Sequence, residues 1–202
     1  MLKLVSDIYF IVGKHNMSEI SKNILAIIGL GNPGLQFKKT RHNIGFMVLD
    51  QLVEQANNNL SSNSWVKQNN LEQMLVEINQ QKVLLIKPQT FMNDSGKVIN
   101  YLTKKGLKIE NILVIHDELE LPFGVLKFKQ GGSAKGHNGL KSIISVLGDN
   151  FLRLRFGIDR PARSDSSMPV DKYVLGKFNS QEENSLVEKI NQAIELIKTQ
   201  IK

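Results

Sequence analysis

The chain contains no cysteine among its 202 residues. That absence excludes a disulfide framework, a thiolate zinc site, an iron–sulfur cluster and a cysteine nucleophile. Long apolar runs are also lacking, since every hydrophobic stretch is broken by charge or glycine well before the roughly 20 residues that cross a bilayer. No membrane association is expected. Neither a G-x-S-x-G elbow nor a Walker A sequence occurs, because Gly131-Gly-Ser133-Ala-Lys135 fails the elbow pattern at its last position. A serine hydrolase of that type and a P-loop enzyme are therefore disfavoured.

What is present is a globular composition, with 41% hydrophobic and 22% charged residues, enough to bury one substantial core and too apolar for a disordered chain. One domain is expected. The formal net charge is +7, and it is concentrated. Between Lys127 and Arg163 stand Lys127, Lys129, Lys135, Lys141, Arg153, Arg155, Arg160 and Arg163 against only Asp149 and Asp159, a local net of +6. Such a face attracts polyanions, and phosphate neutralisation can dominate nucleic-acid affinity. From charge alone a solvated surface is an equal alternative.

Residues 1–22 do not share the pattern of the rest and are read as a poorly ordered N-terminal extension. The apolar Ile8-Tyr-Phe-Ile-Val12 is preceded by Asp7, ended by Gly13-Lys14 and followed by no small-residue cleavage site, unlike a signal peptide. Met17 is a candidate start. From Asn23 the order becomes regular. Ile24–Ile28 reads as a buried strand entering Gly29-Leu-Gly-Asn-Pro-Gly34, and Ile44, Met47, Val48, Leu52, Val53 and Ala56 recur at helical spacing. Met74–Ile78 and Val83–Ile86 flank Asn79-Gln-Gln-Lys82 as a hairpin. A helix with Val98, Ile99 and Leu102 on one face and stopped by Gly106 leads to the strand Ile112–Ile115, closed by His116-Asp117. Val125–Lys129 (strand), Leu140–Leu147 (helix) and Leu152–Ile158 (strand) follow, with Arg153 and Arg155 on one side of the last. Ser180-Gln-Glu-Glu183 reads as a capping box opening an amphipathic C-terminal helix. Strands alternating with helices around one hairpin predict an α/β fold: a single-domain three-layer α/β/α sandwich on a twisted mixed β-sheet, spanning residues 23–202. Ligands in such sheets bind beyond the carboxyl ends of the strands.

Gly29-Leu-Gly-Asn-Pro-Gly34 satisfies the dinucleotide fingerprint with Asp50 downstream. The helical pattern starts only after Thr40-Arg-His-Asn43, however, which would leave a pyrophosphate without its helix N-terminus. The polar candidates are His42, in a loop where an imidazole can titrate near neutrality, and Asp117, on a rigid strand end where a carboxylate can fix an imidazole tautomer. Asn93 and Asn138 sit beside glycine or at helix starts, where an amide can donate and accept, and Asn32 is a polar residue that glycines simply making a turn do not explain. Taken singly, His42, Asp117, Asn93 and Asn138 each have an ordinary reading as a surface histidine, a strand-end acid or a helix cap. His15, His42, His116 and His137 lack metal-type local spacing, and no required metal is expected.

Taken together, Gly29-Leu-Gly-Asn-Pro-Gly34, Thr40-Arg-His-Asn43, Thr90-Phe-Met-Asn93 with Ser95-Gly96, His116-Asp-Glu-Leu119, Lys127-Phe-Lys129, Gly136-His-Asn-Gly-Leu-Lys141 and Arg153-Leu-Arg-Phe-Gly-Ile158 are similar, in order, to the motifs of bacterial-type peptidyl-tRNA hydrolases. The resemblance runs from about Ile24 to the C-terminal helix. It implies a monomeric, cytoplasmic α/β hydrolase that cleaves the ester between a peptide and the 3′ end of tRNA, acting on the acceptor end without metal or cofactor and returning tRNA to translation. By the same resemblance His42 is the base that activates water, Asp117 its supporting acid, and Asn32 the residue that separates N-blocked from free aminoacyl-tRNA. Asn93 and Asn138 correspond to groups binding the peptidyl main chain. Phe91 corresponds to a substrate-contacting aromatic, Lys129 and Arg155 to phosphate contacts. Phe37 stands where the family commonly has tyrosine, keeping a ring for stacking but losing a hydroxyl, and Lys135 is an addition beside the cleft. A non-catalytic RNA-binding protein of the same fold is the alternative.

Overall fold

The computed structural model describes residues 23–57, 64–161 and 168–201. The proposed extension, residues 1–22, lies outside the described residues, as does most of the loop between Pro161 and Pro169. The strands are β1 (Ala26–Gly29), β2 (Val66–Gln68), β3 (Leu71–Ile78), β4 (Gln81–Pro88), β5 (Ile112–Glu118), β6 (Leu126–Gln130) and β7 (Leu152–Gly157). The helices are α1 (Ile44–Asn57), α2 (Ile99–Lys104), α3 (Asn138–Leu147), α4 (Val170–Val174) and α5 (Ser180–Lys198). One sheet has the order β2-β3-β4-β1-β5-β7-β6. Strands β4, β1, β5 and β7 run parallel, while β3, β2 and β6 pair antiparallel with their neighbours. The mixed sheet is therefore as the sequence implies.

The central strands read as unbroken apolar runs because both faces are covered. Ile27, Leu113, Ile115, Leu152 and Leu154 face a core shared with Ile44, Val48 and Leu52 of α1 and Leu186, Ile190 and Ile194 of α5. Ala26, Ile28, Ile112 and Val114 face the opposite core, with Ile99 and Leu102 of α2 and Leu140 and Ile143 of α3. This is the expected three-layer sandwich. The hairpin joins Ile78 to Gln81 through Asn79 and Gln80, at φ 52° and 66°, a two-residue turn whose twist suits the flanking strands.

Two glycines set the position of the functional edge. A Cβ on Gly29, at the end of β1, would collide with the Gly45 carbonyl, and one on Gly45 would collide with the Leu30 backbone. Helix α1 thus starts in direct contact with the strand, which presses the turn before the helix against the loop after β1.

Three local expectations change. The sequence pattern predicts neither the exposed edge strand β2 nor the short α4, and Val66-Lys-Gln68 has no apolar alternation to mark it. A 3₁₀ turn, Met92–Val98, precedes α2. The capping box is displaced by one residue: Asn179 is the N-cap, its side chain accepting from Glu182 N at 2.9 Å while Glu182 Oε2 accepts from Asn179 N at 2.8 Å. Asparagine serves at the cap as serine would, because its side-chain oxygen accepts from the backbone N–H three residues on while the glutamate there reaches back.

Candidate functional site

His42 lies on a 3₁₀ turn, Arg41–Asn43, that runs directly into α1. The turn is held from both sides. Asn43 Oδ1 accepts from Asn32 N and its Nδ2 donates to Asn32 O, both at 2.9 Å, so one side chain fixes the loop after β1. On the other side, Arg41 N donates to Gly176 O at 3.0 Å. The Arg41 guanidinium donates to Lys177 O and Glu182 Oε2, both at 2.6 Å, and stacks 4.2 Å from the Tyr173 ring centroid. These contacts join the turn to the segment that carries α4.

Asp117, the last residue but one of β5, lies on the opposite side of the strand from His116. Its Oδ1 accepts from His42 Nδ1 at 2.9 Å and from His137 Nε2 at 3.0 Å. His137 is itself the N-cap of α3, its Nδ1 accepting from Leu140 N at 3.3 Å. A nitrogen that accepts carries no proton, so His137 donates to Asp117 through Nε2. The same acceptor fixes the proton of neutral His42 on Nδ1 and leaves Nε2 as a free base. Burial disfavours the charged form of both partners, but their mutual attraction prevails. Against burial, Asp117, with a smaller contribution from Asp171, raises His42 above 6.5, and the two histidines hold Asp117 well below the usual carboxylate range. His116 behaves oppositely: burial and the neighbouring His137 push it down to about 3, its Nδ1 donates to Asp117 O at 2.7 Å, and it stays neutral.

A cleft of about 280 Å³ opens over this cluster, and its wall includes His42, Asp117, Lys129, Asn138 and Arg155. Asn32, Phe91 and Asn93 are not part of that wall: Asn32 is buried beside the His42 turn, which it meets through Asn43, and its Oδ1 accepts from Met92 N at 2.8 Å. That bond turns the Asn32 amide nitrogen away from Met92 and brings the neighbouring Phe91 and Asn93 alongside. Phe91 is 63% exposed, and Asn93 is exposed on the same 3₁₀ turn. Phe37 stands apart from the cleft wall, half-buried on its own 3₁₀ turn, with its carbonyl accepting from Thr40 Oγ1 at 2.9 Å. Sequence reasoning gave His137 no role; its position at a helix start in Gly136-His-Asn-Gly139 was the available signal. The cap is made by His137, which leaves the exposed Asn138 amide beside the cleft.

The His42, Asp117 and His137 donor atoms lie within 4.8 Å of one another, close enough for one cation. Ligation there would replace both hydrogen bonds to Asp117 and move the His42 proton to Nε2, removing the free base.

Residues 26–202 match the peptidyl-tRNA hydrolase family model. The chain belongs to the peptidyl-tRNA hydrolase family. It is 46% identical over 162 residues to the peptidyl-tRNA hydrolase of Helicobacter hepaticus, covering 80% of this chain and 69% of that one. Over 174 residues it is 43% identical to the Fervidobacterium nodosum enzyme, covering 86% and 87%. A crystal structure of peptidyl-tRNA hydrolase from Acinetobacter baumannii superposes with a TM-score of 0.80 at 34% identity, covering 94% of this chain and 91% of that one.

Within this peptidyl-tRNA hydrolase fold, the basic cluster of the sequence is not one free surface. Cross-strand register places His116 beside Arg155, Lys127 beside Arg155 and Lys129 beside Arg153, all on one face of the sheet. Arg153 is nevertheless buried, donating to Ser133 O at 3.0 Å and to Gly132 O. Arg155 Nε donates to Glu118 Oε2 at 2.8 Å, and Arg160 pairs with Glu120. The acids, Glu118 at the end of β5 and Glu120 just beyond it, precede the Lys127–Arg163 stretch in sequence. Asp50, the residue that suited a dinucleotide ribose, lies on α1 and pairs with Lys87 at 2.7 Å. The loop after β1 is followed by a 3₁₀ turn at Leu35–Phe37, so the nucleotide reading has no helix N-terminus to use.

Proposed function

We propose that this protein hydrolyses the ester joining a peptide, or an N-blocked amino acid, to the 3′ end of tRNA, with His42 as the general base. The observation that carries this reading is the 2.9 Å bond from His42 Nδ1 to Asp117 Oδ1, which leaves Nε2 unprotonated at the wall of a basic cleft. Nε2 takes a proton from water as its oxygen attacks the ester carbonyl, and Asp117 stabilises the imidazolium without itself becoming protonated. His42 then returns the proton to the departing ribose oxygen. Such acid–base help contributes roughly 10²- to 10⁴-fold in rate.

Asn32, Asn93 and Asn138 are assigned to the peptidyl main chain and the developing oxyanion. Amide donors suffice there because an ester already has a good leaving group, so positioning and charge stabilisation need no covalent step. Asn32 discriminates N-blocked from free aminoacyl esters, and Phe91 and Phe37 offer rings to the substrate. Lys129 and Arg155 contact tRNA phosphates. The reading includes action as a monomer in the cytoplasm, without metal or cofactor, by a catalytic domain of residues 23–202 that does not need residues 1–22.

The test is release of the blocked amino acid from N-acetyl-aminoacyl-tRNA, with free aminoacyl-tRNA and the His42→Ala protein run alongside. Rapid, His42-dependent cleavage of only the blocked substrate is expected. Binding of tRNA with no cleavage would instead favour an RNA-binding protein.

A further inference from the structure

The loop between β6 and α3 has an unusual backbone. Gly131, Gly132 and Gly136 take φ values of 66°, 95° and 88°, and Lys135 adopts φ 45° among them. Glycine enters that left-handed region freely, whereas a residue with a side chain does so at a cost. Lys135 is nonetheless exposed and contributes to the cleft wall together with Lys129. A Cβ on Gly132 would come 2.8 Å from Lys129 Nζ, so the Lys129 side chain lies over the same loop. The loop is held from beneath by the buried Arg153 guanidinium, which binds the carbonyls of Gly132 and Ser133.

The arginines of this wall each have a protein partner: Arg153 is spent on the loop, Arg160 is paired with Glu120, and Arg155 gives its Nε to Glu118, which leaves its two terminal nitrogens for the phosphate contact assigned above. Among the described residues, neither Lys129 nor Lys135 has an acidic partner. We propose that Lys135, presented by the Arg153-clamped loop, is a further tRNA-binding residue that acts with Lys129 on a backbone phosphate of the bound tRNA. This rests on the hydrolase reading above and adds to it a specific phosphate contact.

The strain gives the test its resolving power. Lys135→Gly removes the charge while relaxing the backbone, Lys135→Gln removes the charge alone, and Lys135→Arg keeps it. The full-length protein and the three variants are compared for cleavage of N-acetyl-aminoacyl-tRNA and for binding of deacylated tRNA, both over a range of salt. Lys135→Gly and Lys135→Gln are expected to raise KM and the tRNA Kd about three- to tenfold, with the loss falling on KM rather than kcat. The slope of log affinity against log salt should become shallower by up to about 0.7–0.9, the contribution of the one phosphate that Lys135 shares with Lys129. Lys135→Arg should restore both, and Lys135→Gly should melt at or above the parent temperature. Unchanged KM, Kd and salt slope in Lys135→Gly and Lys135→Gln would overturn the assignment, as would a loss of kcat at unchanged slope, which marks loop distortion. If the parent binds tRNA but leaves the blocked ester intact, the hydrolase reading fails while the binding comparison still decides the role of Lys135.

Discussion

The two sides of the cleft are built on opposite terms. On one side His42, Asp117 and His137 are mutually hydrogen-bonded, with Asp117 accepting two bonds at 2.9 and 3.0 Å. On the other, Lys129 and Lys135 have no acidic partner among the described residues, while Arg155 is paired with Glu118 at 2.8 Å and Arg160 with Glu120. A base must keep one tautomer and one orientation, so its acceptor is buried and fixed before substrate arrives. A phosphate contact must exchange water and counterions for the ligand, so its cations stand at the rim. Substitutions on the two sides should therefore separate kcat from KM.

The largest effect is expected for His42→Ala, which should lower kcat about 10²- to 10⁴-fold while leaving tRNA affinity and its salt slope near those of the parent. Equal losses in turnover and binding would break the division between the two sides. Next comes Asp117→Asn, with a fall of roughly 10- to 10³-fold in kcat, because the amide neither stabilises the imidazolium nor dictates the His42 tautomer. His137→Ala should be milder, roughly tenfold or less, since Asp117 keeps its bond to His42 and loses one of two donors; single-turnover rates with saturating enzyme would show it. The smallest effects belong to the rim. Lys129→Ala and Arg155→Ala should each raise KM severalfold and flatten its salt dependence by about one phosphate. The two should differ in thermal melting: Arg155→Ala leaves the Glu118 carboxylate buried without its partner and lowers the melting temperature, whereas Lys129→Ala does not.

Much of this division could be read in the sequence. The apolar runs of β1 and β5 marked strands covered on both faces, the spacing in Met74–Ile86 marked the hairpin, and His42 and Asp117 stood out at a loop and a rigid strand end. Other features depend on which residues meet in space. Asp117 lies 75 residues from His42 and 20 from His137, so nothing local announces that one oxygen serves both rings. The summed charge of Lys127 to Arg163 suggested a uniform basic face, yet strand pairing brings Glu118 against Arg155 and burial removes Arg153. Composition records charges without their partners. The edge strand β2 lacked any alternating pattern, because neither face of Val66-Lys-Gln68 is buried.

The reading of His42 as a base tuned by Asp117 is tested most directly by the pH dependence of kcat/KM for N-acetyl-aminoacyl-tRNA cleavage, measured on the parent and on Asp117→Asn. A general base works unprotonated, so activity falls as pH drops through its pKa. In the parent, the attraction of Asp117 outweighs burial and lifts His42 above 6.5. In the variant burial remains while that attraction is gone, so the acid limb should move below 6.5 and the plateau should fall. An acid limb at the same pH in both proteins, or a parent limb already below 6.5, would contradict the coupling of His42 to Asp117.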